Sequence, residues 1–153
     1  MTVQTSAGAK LGISATKPTT FDATGYAALT MTTIGEITDL GQFGRKYNVV
    51  KHNPISSRGT QKLKGSYDEG TVTLKLGLDN KDAGQLLCMT ALNADSDYSF
   101  NVILLNGDKY FFQAKVIEFM VGVNTVDTVT NATIMLEITT TSTGVGVVTV
   151  PTP

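Results

Sequence analysis

The segment from Thr71 to Leu78 constrains the fold most strongly, because its apolar and polar or small residues alternate without exception. One face carries Val72, Leu74, Leu76 and Leu78, and the other carries Thr71, Thr73, Lys75 and Gly77. A period of two is typical of a β-strand whose sheet has one buried face. Threonine, valine and isoleucine are common elsewhere and also favour extended backbone, so the sequence predicts a mainly β protein.

Five other segments are predicted to form strands, at 34–41, 45–51, 98–104, 109–121 and 125–141. Asn106-Gly107 is a strong hairpin signal, because both turn positions need a positive φ. The alternation changes face within 109–121, and a β-bulge near Val116 would reconcile the two halves. The last strand is expected to place Ala132, Ile134, Leu136 and Ile138 on one face and Asp127, Asn131, Thr133 and Glu137 on the other.

One helix is predicted at about 81–93, where the hydrophobic period changes from two to that of a helix. Asp79 or Asn80 can cap its N-terminus, and Asp82 lies in its first turn. The predicted apolar stripe is Ala83, Leu86, Leu87, Thr90 and Ala91. We expect this amphipathic helix to cover one sheet.

The chain has 153 residues, close to the usual size of a single domain. We divide this domain into an N-terminal arm (1–33), a β core with the helix (34–141) and a C-terminal tail (142–153). The arm is rich in Thr, Ala, Ser and Gly, with at most one short strand. His52-Asn53-Pro54 ends a strand and no apolar periodicity follows, so 52–65 is predicted to be a long loop.

Few residues could carry catalysis, since His52 is the only histidine and Cys88 the only cysteine. His52 is interpreted as a solvated side chain and Cys88 as a small buried one. No Cys or His cluster has the spacing of a zinc site. The sequence therefore predicts a protein without enzymatic activity, metal or cofactor.

No secretory signal or membrane span is evident in the sequence. Residues 1–10 lack a basic segment followed by an apolar one, and apolar runs such as 102–105 are too short to cross a bilayer. We expect synthesis in a cytoplasm and no membrane partner.

Charge is sparse but uneven: only 16% of residues are charged and the net charge is -1. A chain of this charge is not typical of a dedicated nucleic-acid-binding protein. Six cations nevertheless lie between residues 45 and 65 with no acid among them: Arg45, Lys46, Lys51, Arg58, Lys62 and Lys64. Three interpretations stay open: a solvated loop, a nucleic-acid patch, or a surface that docks on acids of a neighbouring subunit. Such acids could be Glu36, Asp39, Asp68 or Asp82.

The C-terminal tail is apolar and carries no charge. Its valines are Val145, Val147, Val148 and Val150. An exposed edge of this kind promotes aggregation in a monomer, so we expect another chain to cover it. The tail therefore indicates a subunit of an assembly.

The succession of elements resembles the tail tube (major tail) proteins of long-tailed bacteriophages. The likeness begins with an arm, the opening strand Ile34-Gly35-Glu36-Ile37-Thr38-Asp39-Leu40-Gly41, and a long loop ending in Lys64-Gly65-Ser66-Tyr67-Asp68-Glu69-Gly70. It continues through Asp82-Ala83-Gly84-Gln85 at the helix, Tyr98-Ser99-Phe100, Asn106-Gly107-Asp108, and a closing strand that starts at Asn131-Ala132-Thr133. It covers roughly residues 8–140, and the order of the motifs carries it rather than any single one.

The resemblance implies a β-sandwich or barrel of two packed antiparallel sheets with one flanking helix. It further implies a structural virion protein that forms hexameric rings and stacks them into a tube. Such a tube encloses the tape measure protein and later passes double-stranded DNA. Its other partners would be the tail terminator and the distal tail or baseplate proteins.

The resemblance also suggests roles for particular residues. The loop that stacks one ring on the next would contain His52, Asn53, Pro54, Arg58, Lys62 and Lys64. Candidates for the lumen are Asp127, Asn131 and Glu137, and acids are expected to outnumber lysines there. The four tail valines would contact other subunits.

Two rival functions come from other classes of protein. A tube protein of the type VI secretion kind would share the fold and ring but be released as free hexamers. A β-sandwich that binds carbohydrate would need exposed aromatic side chains, and this chain has 7% aromatic residues and no tryptophan.

Overall fold

The computed structural model describes residues 3–153. Within these residues, two helices and ten strands follow one another. In order, the elements are β1 (Lys10–Ser14), α1 (Ala23–Ala27), β2 (Thr32–Ile34), β3 (Ile37–Asp39), β4 (Lys46–His52), β5 (Gln61–Asp68), β6 (Thr71–Gly77), α2 (Ala83–Leu92), β7 (Tyr98–Ile103), β8 (Lys109–Gly122), β9 (Asn131–Thr139) and β10 (Val148–Val150).

Eight of these strands form one antiparallel sheet. Seven of them follow the order β2-β1-β7-β8-β9-β6-β3, and the eighth, β10, pairs with β8 outside this order. The strands at the two ends of this order, β2 and β3, are separated in the chain only by Gly35 and Glu36. That short connection spans at most about 11 Å, whereas a flat sheet would separate the end strands by about 29 Å. The sheet therefore curls until its ends meet, like a barrel.

The inner face of this sheet holds a single hydrophobic core. In β9 the buried residues are Ala132, Ile134, Leu136 and Ile138, and in β6 they are Val72, Leu74 and Leu76. Both alternating patterns agree with the sequence prediction. Helix α2 adds Cys88 and Ala91 to the same cluster.

The predicted bulge in β8 is confirmed. Val116 pairs with Leu136 of β9, but Glu118 then pairs with Met135, so Ile117 is the extra residue. The bulge returns Phe119 to the core side, opposite Ile134. This strand of 14 residues thus turns apolar side chains inward on both sides of the bulge, although Ile117, Met120 and Val121 stay about half exposed.

Helix α2 occurs where the sequence predicts it, but its cap and buried face differ from the prediction. Asp82 is the N-cap and accepts a hydrogen bond from the Gln85 amide at 3.0 Å. The buried residues are Gly84, Gln85, Cys88 and Ala91. The predicted face was wrong because Gln85 is held inside by hydrogen bonds from its side chain to the carbonyls of Gly35 and Gly77.

The N-terminal third is not an arm beyond its first few residues. Strand β1 lies between β2 and β7 in the main sheet, and Leu11 and Ile13 are fully buried. In α1, the ring of Tyr26 stacks on Phe111 with centroids 5.1 Å apart. The sequence missed this because a Leu-Gly-Ile strand is too short for its alternation to stand out. Residues 1 and 2 of the predicted arm lie outside the described residues.

The predicted loop 52–65 is also wrong over much of its length. His52 ends β4, and residues 61–65 belong to β5, which pairs with β4 as a separate two-stranded sheet. Only residues 53–60 form a loop. We call β4, this loop and β5 the projecting hairpin, because nearly all of its side chains are exposed.

Two further boundaries need correction. The last long strand, β9, spans 131–139 rather than 125–141, and Asp127 lies in the turn before it. The C-terminal tail does not extend freely, because β10 pairs with β8 of its own chain. The predicted class, mainly β with two antiparallel sheets and a flanking helix, is confirmed, although the second sheet projects from the first instead of packing on it.

Candidate functional site

The two faces of the projecting hairpin differ in chemistry. Lys51 pairs directly with Lys62, and Lys64 pairs with Val49 on the same face. The opposite face pairs Val50 with Leu63, whose exposures are 47% and 61%. One face therefore carries three lysines beside Val49, and the other carries the apolar pair Val50 and Leu63 next to His52 and Gln61.

Within the described residues of a single subunit, one face leaves lysine charges without an ion pair and the other leaves apolar side chains in water. Like charges directly opposite each other destabilise a strand pair, and within residues 3–153 none of these three lysines forms an ion pair. An isolated two-stranded hairpin is marginal in water. The arrangement fits a surface that is completed by another molecule bearing both acidic and apolar groups.

The structure distributes the predicted stacking residues over this hairpin. His52 lies at the end of β4, Asn53, Pro54 and Arg58 lie in the loop, and Lys62 and Lys64 lie in β5. Ile55 in the same loop is fully exposed. No signal in the sequence marks Val49, Val50, Ile55 or Leu63 as contact residues, because apolar residues without a buried face show no periodicity that distinguishes them.

At the base of the hairpin, cations lie over aromatic rings. The Arg45 guanidinium lies 3.9 Å from the centre of the Tyr67 ring, and Lys64 Nζ lies 4.8 Å from that of Tyr47. The two tyrosine rings are themselves 5.3 Å apart. These contacts fix the positions of the side chains at the base of the hairpin.

A second surface is the solvent face of β6, β9 and the second half of β8. Glu137 lies here, opposite Lys115 of β8 and Thr71 of β6, and accepts a hydrogen bond from Thr71 Oγ1 at 2.7 Å. Asn131 lies at the end of the same face, opposite Gly77 and Gly122. Asp127 lies in the turn before β9 and not on this strand face, which corrects its expected position, while its role in the lumen stays a prediction.

The charge of this face also differs from the expectation. Across β6, β8 and β9 it carries two lysines and two glutamates: Lys75, Lys115, Glu118 and Glu137. Lys115 also forms an ion pair with Asp97. The remaining positions are mostly threonine and methionine, so the face is close to neutral rather than acidic.

Strand edges offer a third kind of contact. Strand β8 pairs with β9 along one edge as far as Gly122, but β7 pairs with its other edge only as far as Ala114. Within residues 3–153, no strand therefore pairs with the β7-side edge of residues 115–122. Strand β3 pairs with β6 on one side, and in the same described range its other side has no strand partner. Unpaired backbone groups of this kind can pair with another chain.

The tail valines are half-buried rather than exposed. Val148 and Val150 lie in β10, opposite Phe111 and Lys109, and Val147 packs against the core. Beyond β10, Asp108 accepts hydrogen bonds from the Thr152 amide at 2.8 Å and its hydroxyl at 3.0 Å. These bonds, together with one from Asn106, lower the pKa of Asp108. The tail is therefore partly covered by β8 of its own chain, and the contact of Val145, Val147, Val148 and Val150 with other subunits stays a prediction.

The residues suited to catalysis are not arranged for it. His52 is exposed at the end of β4, while Cys88 is buried in α2. Burial, with the nearby charge of Asp82, raises the pKa of Cys88 to about 12, so its thiol is neutral and unreactive at physiological pH. Among the described residues there is no cluster of ligands able to hold a metal.

No helix among residues 3–153 is long and apolar enough to cross a membrane. Three apolar side chains of α2 are partly exposed: Leu86, Met89 and Leu92 at 45%, 40% and 37%.

Solved structures share this architecture. One chain of the anti-feeding prophage baseplate superposes with a TM-score of 0.63 at 13% identity, over 91% of this chain and 93% of that one. A chain from the sheath/tube terminator of the PVC extracellular contractile injection system also gives 0.63, at 10% identity over 93% and 94%. For the SPP1 tail tube the TM-score is 0.58 at 14% identity, over 85% of this chain and 72% of that one.

The chain has the tail-tube fold. No protein-family model and no curated protein sequence matches it. At identities of 10–14%, the likeness establishes the fold alone. The fold expected from the motif order is thus confirmed by structural comparison, where sequence comparison finds no relative.

Proposed function

We propose that this protein is the structural subunit of a tail tube. In this proposal six copies form a ring, and rings stack into a tube that encloses the tape measure protein and later conducts double-stranded DNA. It has no catalytic role or cofactor. It is made in the host cytoplasm and resides in the virion tail, with terminator and distal tail or baseplate proteins at the ends of the tube.

The observation that carries the proposal is the projecting hairpin on a tail-tube fold. The hairpin presents a lysine face and an apolar face that its own chain does not cover. Stacking would insert it between subunits of the next ring, where acids relieve the repulsion of Lys51 and Lys62. Its residues His52, Asn53, Pro54, Arg58, Lys62 and Lys64 would then form the contact between rings.

Ring closure would use the unpaired edges. A heterologous contact between the 115–122 edge of β8 and the β3 edge of the next copy would repeat around an axis. The strands β3, β6, β9 and β8 of successive copies would then form a continuous cylinder. Its lumen would be lined by the near-neutral face that holds Asn131 and Glu137, which offers a passing polyanion few places to bind.

Electron microscopy of the purified protein tests the proposal directly. Negative-stain images at several concentrations, beside sedimentation velocity, should show hollow rings or stacked tubes. A monodisperse monomer at high concentration would contradict it. Free rings that never stack would favour the type VI-like alternative, which shares the ring but not the permanent tube.

A charge-reversed variant locates the contact. Lys51→Glu with Lys62→Glu should block stacking, while the matched change of two exposed lysines outside the hairpin, Lys17→Glu with Lys81→Glu, should leave it intact. Equal loss of tubes in both variants would show that net charge, rather than the hairpin, governs stacking.

A further inference from the structure

The turn that precedes β10 lies against the base of the projecting hairpin. We call residues 141–147 the tail turn. Tyr67, near the end of β5, donates a hydrogen bond from its hydroxyl to the carbonyl of Gly144 at 2.8 Å. Tyr67 is partly buried, whereas nearly every other side chain of the hairpin is exposed. This bond joins two segments that are 77 positions apart in the chain.

A second contact lies one step further along the chain. Glu69, which follows β5, is only 3% exposed, and its carboxylate accepts a hydrogen bond from Arg45 Nε at 2.7 Å. Arg45 precedes β4, so this ion pair ties the two ends of the hairpin together. A buried carboxylate needs such a partner, and losing the partner is strongly destabilising.

Two glycines let the tail turn fit against this base. Gly144 has a φ of +85°, a conformation that other residues adopt only with strain. Gly146 is buried, and a Cβ added there would overlap the Glu69 carboxylate. The tail turn is therefore shaped to receive Tyr67 and Glu69.

The tail turn is held by hydrogen bonds of its own. The Gly144 amide donates to the Thr141 carbonyl at 2.9 Å, and the Val145 amide donates to Thr141 Oγ1 at 3.0 Å. On its far side, β10 is paired with β8 and secured by Asp108. A turn fixed at both ends can hold the hairpin base at a set position.

We propose that the tail turn positions the projecting hairpin, so that seating of the C-terminal segment and readiness to dock on a second copy are coupled. Tyr67, Glu69 and Gly146 are the positioning residues. A two-stranded hairpin is only marginally stable by itself. It loses less conformational entropy on docking when its base is already fixed. The docking part of this inference rests on the proposed function.

Amide hydrogen exchange of the unassembled subunit tests the positioning. Tyr67→Phe removes one hydroxyl and should speed exchange in β4 and β5 about fivefold, as expected for one lost hydrogen bond. Gly146→Ala, which pushes the turn off Glu69, should do at least as much. Exchange in β9 should not change in either variant.

Asn48→Ala is the matched control. It removes a hydrogen bond of 3.0 Å to Ser66 within the same hairpin; that bond is exposed and water can replace it, whereas the bond of Tyr67 to Gly144 is partly buried. Hairpin exchange in Tyr67→Phe no faster than in this control would overturn the inference, and so would an equal rise in β9. If Gly146→Ala does not fold, the Tyr67→Phe comparison still decides.

Assembly supplies the second readout. Tyr67→Phe should slow the growth of tubes from rings several-fold more than Asn48→Ala does, and unchanged growth would overturn the coupling to docking. A wild-type chain that never forms rings would refute the proposed function. The positioning role would still be decided, because hydrogen exchange is measured on the unassembled subunit.

Discussion

Strand β9 and the projecting hairpin have the same local backbone but opposite surroundings. Every second residue of β9 from Ala132 to Ile138 is buried, and both of its edges are paired. The hairpin is exposed on both faces and paired only within itself. The contrast shows that β9 is completed by its own chain, whereas the hairpin leaves both faces exposed in a single copy, as the proposed stacking role requires.

Shortening the hairpin should have the largest effect. Residues 53–60 can be replaced by Asn-Gly, a turn that suits the facing pair His52 and Gln61. We expect a subunit of unchanged thermal stability that forms single rings and no tubes, as judged by electron microscopy. Long tubes from this variant would show that the loop of the hairpin is not needed for stacking.

Truncating an aliphatic side chain separates the two regions energetically. Ile134→Ala in β9 should cost about 2–5 kcal/mol of unfolding free energy, because it leaves a cavity in the core. Leu63→Ala in the hairpin, where the side chain is 61% exposed, should cost less than about 0.5 kcal/mol. Urea denaturation of the unassembled subunit measures both, and similar losses would contradict the contrast.

The pH dependence of the unfolding free energy tests whether the thiol of Cys88 is buried away from water. Because the pKa of the folded thiol is raised from 9.0 to about 12, the unfolded chain loses this proton first. The stability contributed by the neutral thiol is therefore full below pH 9 and declines as the pH rises toward 12. Between pH 9 and 12, the unfolding free energy of the wild type should fall more than that of Cys88→Ala, as measured by denaturation at each pH. Parallel plots of unfolding free energy against pH would contradict the burial of this thiol.

The same contrast explains which parts of the fold could be predicted from the sequence. Strands with one buried face, such as β6 and β9, carry a period of two, and the bulge in β8 is visible as a change of face. The hairpin has no buried face, so 61–65 looked like a loop. The inward side of α2 depends on Gln85 meeting the carbonyls of Gly35 and Gly77, a tertiary contact that hydrophobic periodicity does not encode.

The same limit applies to the candidate surfaces: features visible in the sequence alone could be predicted, and features that depend on strand pairing could not. The cation-rich segment was found because charge is visible without a fold, but the pairing of Lys51 with Lys62 requires the register. Asp127 was assigned to the face of Glu137 by extending the alternation beyond Asn131, where β9 begins. The tail valines looked unpaired because the edge of β8 that covers them lies more than 30 positions away.

A small change in polar contacts gives the finest test of the comparison. Thr71→Val removes the hydroxyl that donates to Glu137 across the solvent face of the sheet at 2.7 Å, where both strands are held in register by the core. It should lower the unfolding free energy by about 0.5–1 kcal/mol. Asn48→Ala, which removes a hydrogen bond of 3.0 Å between the hairpin strands, should have no measurable effect on unfolding, because that hairpin contributes little to the cooperative unit. Urea denaturation of the two variants side by side checks this, and a larger loss for Asn48→Ala would mean that the hairpin folds as part of the core.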